Sequence, residues 1–196
     1  KLQKIKPGKY ETLSNLGVLH KKMGQYDKAA KYIASALKIK AEGHMGLGDW
    51  YLKMLQYKAS TAKSKTQPTS NFLGKAYTSS FYSWKIKDQK SFFANIKAMI
   101  RNDRRFADIY VVLGDYLQRN YRARNQALWC YVRALDLGHK NPAAIKNRIK
   151  KIHDHWRNAI KHSARGRRVL ESIDKSIAGI KRELSQRQDW LKQFKE

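Results

Sequence analysis

The stretch that decides the fold is LGVLHKKMGQYDKAAKYIASAL, which covers residues 16–37. It begins with a Leu-Gly pair, contains a turn glycine at Gly24, and continues with apolar residues at the three- and four-residue steps of a helix. Small residues at fixed positions allow two helices to cross closely, and the larger apolar side chains fill the space beside them. The stretch therefore predicts a helical hairpin, which we place at residues 10–43.

The same pattern returns at residues 113–135, LGDYLQRNYRARNQALWCYVRAL, with one additional residue in its turn. This second hairpin is predicted at residues 107–141. Pro142 follows it directly and is well placed in the first turn of another helix. A third Leu-Gly pair, Leu47-Gly48, opens a single helix that contains Tyr51.

The segment between the two copies is less regular. Residues 60–70 are rich in Ser, Thr and Lys, lack large apolar side chains and contain Pro68, so we predict an irregular insertion near 59–70. Helical spacing resumes at Asn71, continues to Trp84, and is followed by a second helical pattern over 92–100. These two patterns predict a degenerate helix pair.

The motifs resemble the tetratricopeptide repeat (TPR), which carries a Leu-Gly pair, an aromatic residue, and then alanines around a second aromatic. The resemblance implies an all-α, TPR-like α–α solenoid of about three to four helix pairs, with degenerate repeats of a bacterial type. Residues 93–142 are similar to the later portion of bacterial TPR proteins without a known activity. Solenoids of this kind use their concave groove as a binding surface, which implies a scaffold rather than an enzyme.

The apolar period changes after Pro142. Two narrow apolar seams, one from Ile145 to Ala159 and one from Leu170 to Phe194, are separated by a turn that contains Gly166. They predict a basic helical hairpin over 142–196 that packs on the solenoid of residues 1–141 and caps its open end. An intermolecular coiled coil is the alternative for these two seams.

The chain is strongly basic, with 42 Lys and Arg against 15 Asp and Glu and a formal net charge of +27. A field of this size attracts acidic proteins, nucleic acids and anionic membranes, although a solvated basic surface that only aids solubility gives the same composition. Arginines in a turn between helices bind phosphate well because each guanidinium offers paired donors. We therefore predict an anion-binding site at Arg165, Arg167 and Arg168.

No set of residues indicates catalysis, a cofactor or a small-molecule substrate. The sequence has no phosphate-binding glycine loop and no acidic pair suited to acid–base chemistry. The single cysteine, Cys130, is expected to be a buried, inert thiol. His153 and His155 lie two apart on a predicted helix among lysines and arginines, which disfavours metal binding. No apolar run is long enough to span a membrane.

The predicted function is therefore a non-enzymatic scaffold or adaptor that binds an acidic protein or peptide through the concave groove. The resemblance implies contacts from exposed residues of each first helix, while Ser14, Val18, Val111 and Asp115 replace the clamp that recognises EEVD-like tails. The alternative is polyanion binding, to nucleic acid or to an anionic membrane surface, through the basic C-terminal helices. We expect a soluble protein of the bacterial cytoplasm or periplasm; a signal or anchor upstream of Lys1 would lie outside this sequence. The predicted partner contacts are Asn15, His20, Asp49, Trp50, Lys53, Asp115, Tyr116 and Gln118.

Overall fold

A computed structural model describes residues 9–44, 46–78 and 85–160, with eight further positions between 168 and 186. Within these residues the chain is all-α, as predicted, and its only β pairing is an isolated bridge between Ser70 and Ala76. A short 3₁₀ turn, Tyr121–Ala123, precedes the sixth helix. The α-helices are α1 (Tyr10–Lys22), α2 (Tyr26–Ile39), α3 (Gly48–Lys63), α4 (Gln89–Asn102), α5 (Ala107–Leu117), α6 (Arg124–Asp136) and α7 (Pro142–Ile160).

The first predicted hairpin is formed by α1 and α2. Gly24 ends the turn with a φ of +71°, a left-handed conformation that glycine adopts without strain. Gly17 lies so close to α2 that a Cβ atom there would stand 2.5 Å from Cδ1 of Ile33. The Leu-Gly pair therefore has the role that the sequence predicted, which is to bring two helix backbones together.

The second hairpin, α5 and α6, repeats this contact. A Cβ atom on Gly114 would stand 2.6 Å from Cε1 of Tyr131, which is fully buried. The additional residue of this copy lies in the longer connection, which contains the 3₁₀ turn. Both hairpins are thus built around a glycine that faces a large residue of the second helix.

The predicted insertion near 59–70 starts later than expected, because α3 continues to Lys63. Ala59 is buried against the core, and Lys63 reaches Asp27 at the start of α2 in an ion pair. The burial of Ala59 stabilises this end of α3 although its sequence is polar, whereas the exposed ion pair adds little. Residues 64–70 are outside any helix, as predicted.

The helix predicted from Asn71 is wrong for residues 71–78, while 79–84 lie outside the described residues. The Asn71 side-chain oxygen accepts hydrogen bonds from the amides of Leu73 and Lys75, both at 3.0 Å, and so closes a tight turn. Phe72 and Tyr77 are both buried, but in two different clusters. Because a turn replaces the predicted helix here, each of these two side chains reaches its own cluster.

Helix α4 runs in the same direction as α3. Near their starts, the rings of Trp50 and Phe92 lie 5.2 Å apart, and toward their ends Lys58 Nζ lies 2.6 Å from Oδ2 of Asp103. The second helix of a hairpin would run the opposite way. Helix α4 is therefore not the hairpin partner of α3. In the predicted degenerate pair, the second helix, over 92–100, is present as part of α4, whereas the first helix is wrong for residues 71–78.

The buried apolar residues form two clusters that share α5. The first joins α2, α3, α4 and α5 around Met54 and Ile109, with Phe72 inserted between the helices. The second joins α5, α6 and α7 around Tyr131 and Ile145, with Tyr77 inserted in the same way. The segment after α3 thus contributes one buried aromatic side chain to each cluster.

Helix α7 begins where Pro142 predicted and packs on α6. The Asn141 side chain accepts a hydrogen bond from the amide of Ala144 at 3.0 Å, and Ile145 and Ile152 are buried in the second cluster. Most of the predicted second seam, over 170–194, lies outside the described residues. None of the helices in the described part of the chain has the length and apolar character that crossing a bilayer requires.

Candidate partner-binding surface

The predicted partner contacts divide into accessible and buried residues. Asn15 and Asp49 are exposed, and His20, Trp50, Lys53 and Tyr116 are partly exposed. The expectation that the remaining two are accessible is wrong, because Asp115 is 0% and Gln118 4% exposed. Asp115 lies on the face of α5 that packs against α6 and α7, where it is bound by side chains of both helices.

Two of the accessible residues, Trp50 and Tyr116, belong to one group of aromatic side chains. The ring of Phe92 lies 5.2 Å from that of Trp50 and 5.5 Å from that of Tyr116, and the Phe93 ring stacks on Tyr116 at 5.6 Å. We call Trp50, Phe92, Phe93 and Tyr116 the aromatic cluster. All four rings are partly exposed, so the cluster presents apolar surface from α3, α4 and α5.

The aromatic cluster has cations beside it. Lys97 Nζ lies 5.0 Å above the ring of Phe93, in a cation–π contact, and the Lys97 side chain is exposed. Lys53, one turn after Trp50, binds Asp49 at 2.7 Å and remains 44% exposed. Asp49 offsets the charge of Lys53, so the surface combines apolar anchors with the positive charge of Lys97, which suits a ligand that carries both apolar and acidic groups.

Sequence reasoning found part of this cluster. Trp50 and Tyr116 each stand two residues after the glycine of a Leu-Gly pair, so their equivalence was visible. The spacing of Phe92 and Phe93 predicted a helix, but it did not show which other helices α4 contacts. The direction of α4 decides this contact, and no local pattern encodes it.

A pocket of about 190 Å³ opens between α1, the connection before α3, and the end of α4. We call it the His44 pocket. Its walls combine two lysines with aromatic and apolar side chains and one amide. The residues that line it are Val18, Lys21, Lys22, His44, Leu47, Tyr51, Met99 and Asn102.

The two lysines of the His44 pocket differ, because within the described residues an acidic side chain pairs with only one of them. Lys21 Nζ is 3.2 Å from Oδ2 of Asp103, which Lys58 also binds. Burial acts to raise the pKa of Asp103, but the two lysines outweigh it and hold this pKa below its usual value. Lys22 is exposed and has no ion-pair partner among the described residues. It therefore supplies the uncompensated positive charge of the pocket.

The two rings in the pocket are neutral near pH 7. Burial lowers the pKa of His44 below 6.5. Burial, followed by the charge of Asp103, raises the pKa of Tyr51 to about 12. The His44 ring can therefore act as a neutral hydrogen-bond donor rather than as a cation.

A separate group of polar side chains, centred on Asp108, is closed to solvent. The Asp108 carboxylate accepts hydrogen bonds from the amide of Phe72 at 2.6 Å, from the Tyr77 hydroxyl, and from His139 Nε2 at 2.9 Å. The Asn141 amide donates to Nδ1 of His139 at 3.0 Å, so the ring hydrogen is on Nε2. Although a Tyr–His–Asp set occurs at catalytic sites, these groups are buried and satisfied, and we assign them a structural role.

The neighbouring buried ion pair joins α5 to α7. Arg148 donates from Nε and Nη2 to the two carboxylate oxygens of Asp115, at 2.7 and 3.1 Å, and from Nη1 to the carbonyl of Tyr77 at 2.9 Å. Tyr131 donates to the same carboxylate at 2.7 Å. Burial raises the pKa of Asp115, against the opposing effect of Arg148. The pair fixes α7 and residues 70–78 on the second hairpin.

The remaining candidates are placed as follows. Cys130 is buried, and burial raises the pKa of its thiol to about 12, as expected for an inert cysteine. Asp154, between His153 and His155, binds Lys150, and no group of three metal-ligating side chains occurs among the described residues. Arg168 is exposed and helical, whereas Arg165 and Arg167 lie outside the described residues.

Comparison of the chain with protein-family models, with curated proteins and with solved structures gives no match.

Proposed function

We propose that this chain is a non-enzymatic, TPR-like scaffold that binds an acidic protein or peptide through the surface around the aromatic cluster. The observation that carries this proposal is that Trp50 and Tyr116, the aromatic residues at matching positions of α3 and α5, meet through α4, with the ammonium group of Lys97 over the neighbouring Phe93 ring. Partly exposed aromatic anchors dominate the energy of many protein interfaces, and the surrounding charges select the partner.

The TPR-like character of the proposal rests on the two hairpins. Gly17 faces Ile33 and Gly114 faces Tyr131 at nearly the same distance, which supports a repeated unit. The irregular segment between them adds α4 to the side of α3 and α5. In this proposal α4 reshapes the groove that the first helices of the repeats line, and it contributes two of the four anchors.

Truncation of an aromatic anchor should weaken binding of an acidic, apolar peptide. The probe is a short amidated peptide that alternates glutamate and leucine, titrated at about 150 mM salt, where the Debye length is about 8 Å and long-range attraction is screened. We expect Phe93→Ala and Tyr116→Ala each to lower its affinity about tenfold, as interface hot spots do. Isothermal titration calorimetry measures the change.

Trp129→Ala is the matched control for these variants. Trp129 is 50% exposed on α6 and is not part of the aromatic cluster, so its loss should leave the affinity unchanged. A second peptide with glutamine in place of glutamate should bind far more weakly to the unmodified protein. Equal losses for all three variants, or equal binding of both peptides, would show that the cluster is not the binding surface.

A second function, polyanion binding, is favoured by the solvent face of α7. Four basic residues there are exposed, and the one acidic residue of the helix, Asp154, is already bound by Lys150. Such a face can follow a row of phosphates without reading their sequence. The exposed basic residues of α7 are Lys146, Lys150, Lys151 and Arg157.

Charge reversal on α7 tests this function. If α7 binds polyanions, the affinity for duplex DNA should fall by orders of magnitude between about 50 and 200 mM salt, and a triple glutamate variant of α7 should lower it about tenfold at fixed salt. A triple variant of α2 changes the net charge equally and should have a much smaller effect. Equal effects of both triple variants would mean that the affinity for DNA depends only on the net charge of the protein and not on α7. The substitutions are Lys146→Glu, Lys151→Glu and Arg157→Glu, against Lys28→Glu, Lys31→Glu and Lys38→Glu.

A further inference from the structure

His44 combines two unfavourable features. Its φ is +55°, which makes it the one non-glycine residue with a positive φ in the described part of the chain. Its Nε2 atom is closed off from solvent and has no hydrogen-bond partner among the described residues. Glycine adopts this backbone conformation more readily than histidine, and an unpaired buried polar atom costs stability.

The packing around His44 explains the position of its ring but not the unpaired nitrogen. Its backbone amide donates to the Tyr10 hydroxyl at 2.7 Å, and its ring lies 5.1 Å from the ring of Tyr51. Any aromatic side chain could make the ring contact. A residue held in a strained conformation at the wall of a pocket, with one polar atom left over, is typical of a site whose ligand completes the contacts.

The geometry points to the His44 pocket as a binding site for a single carboxylate group of the acidic partner, with the imidazole N–H of His44 and the ammonium group of Lys22 as its donors. This inference rests on the proposed function and adds the group that the partner inserts. The pocket holds one uncompensated cation, Lys22, and a neutral ring, which together match one negative charge. Its volume of about 190 Å³ accommodates a carboxylate at the end of a short chain.

Because the His44 nitrogen is closed off from solvent, the inference requires a side chain of the pocket wall to move aside, and we assign this movement to Lys21, which lines the same pocket. The Lys21 ammonium group lies 5.4 Å above the centre of the Tyr51 ring, which packs against His44. An entering carboxylate attracts the Lys21 ammonium away from Asp103 and takes a place beside the ring. Lys58 still compensates Asp103 when Lys21 moves, because it binds the same oxygen at 2.6 Å.

The carboxylate can come from an Asp or Glu side chain or from the end of the partner chain. Two probes distinguish these sources: the amidated peptide of glutamate and leucine, and a peptide of glycine and serine with a free C-terminal carboxylate. Binding of the first alone assigns the pocket to a side chain, and binding of the second alone assigns it to a chain end.

His44→Asn is the decisive variant. Asparagine tolerates a positive φ and removes the ring without changing the charge at pH 7.5, so electrostatic attraction by the whole protein stays constant. We expect the affinity for the bound probe to fall about tenfold, the effect of losing a hydrogen bond to a charged group, while the melting temperature stays the same or rises. His155→Asn, at an exposed position of α7, is the matched control and should change neither quantity.

A spectroscopic measurement keeps the test independent of the stability of the variants. In the unmodified protein, the ring resonances of His44 should shift when the bound probe is added. An unchanged affinity in His44→Asn, or an unchanged His44 ring signal, would overturn the inference while the proposed function stands. If neither probe binds the unmodified protein, the proposed function and this inference both fail.

Discussion

Arg148→Met should lower the free energy of unfolding by about 3–5 kcal/mol, the cost of leaving a buried charge without its partner. Asp115 is 0% exposed and would keep only the bond from Tyr131, and the Tyr77 carbonyl would lose the donor at 2.9 Å. Methionine fills much of the volume of the arginine side chain, so the loss is electrostatic rather than a cavity effect. Urea unfolding followed by circular dichroism measures it.

The same variant should show a defined pH dependence. Burial already raises the pKa of Asp115 above 3.8, and removal of Arg148 takes away the main effect that opposes this. A carboxyl whose pKa is raised in the folded state takes up its proton there first, so the folded state gains relative stability as the pH falls. The stability difference between Arg148→Met and the unmodified protein should therefore shrink between pH 7 and the region just above 3.8.

Arg157→Met is the control for this prediction. Arg157 is exposed on the same helix, and surface substitutions usually change stability by less than about 0.5 kcal/mol. A loss in Arg148→Met that is no larger than that of Arg157→Met would contradict the buried ion pair. A difference that grows as the pH falls would contradict the direction of the Asp115 shift.

Gly114→Ala should lower the free energy of unfolding by about 2–3 kcal/mol, although alanine favours a helix over glycine by about 1 kcal/mol. The new methyl group would stand 2.6 Å from the Tyr131 ring. This ring cannot move freely, because it is fully buried and its hydroxyl donates to Asp115 at 2.7 Å. Thermal unfolding should show a melting temperature lower by several degrees.

Gly17→Ala provides the comparison within the same chain. Its methyl group would meet Cδ1 of Ile33 at 2.5 Å and Cγ1 at 2.7 Å, but Ile33, although also fully buried, has no hydrogen bond to keep. We therefore expect a loss of about 1 kcal/mol. If Gly114→Ala is as stable as the unmodified protein, or less affected than Gly17→Ala, the close contact between α5 and α6 is not as described.

The hairpins could be predicted because their determinants are local. Gly24 allows the positive φ of a turn, and Gly17 and Gly114 allow close contact with the next helix. The spacing of the apolar residues indicates which face of each helix packs. The helix at Asn71 was predicted on the same kind of spacing and was wrong. There, the side-chain oxygen of Asn71 accepts the hydrogen bonds that close a turn. The burial of Phe72 and Tyr77 in separate clusters outweighs the helical pattern.

The candidate surface was predictable only in part, because its contacts join distant segments. Trp50 and Tyr116 could be picked from equivalent positions, but their meeting depends on the direction of α4. Asp115 was expected at the surface because the resemblance implies partner contacts from exposed residues on the first helix of each pair. Its partner Arg148 lies 33 residues further on, and a single sequence does not reveal that the two meet. Likewise, no sequence pattern marks a histidine with a positive φ.

The most direct test of the proposed binding surface is the indole N–H signal of Trp50 in a ¹H–¹⁵N spectrum during titration with the glutamate–leucine peptide. Trp50 lies in the aromatic cluster and Trp129 outside it, so the two indoles report on different surfaces of one sample. We predict that the Trp50 signal shifts in a saturable manner while the Trp129 signal stays in place. A saturable shift of Trp129, or of the α7 lysine amides, with Trp50 unchanged would contradict the proposal.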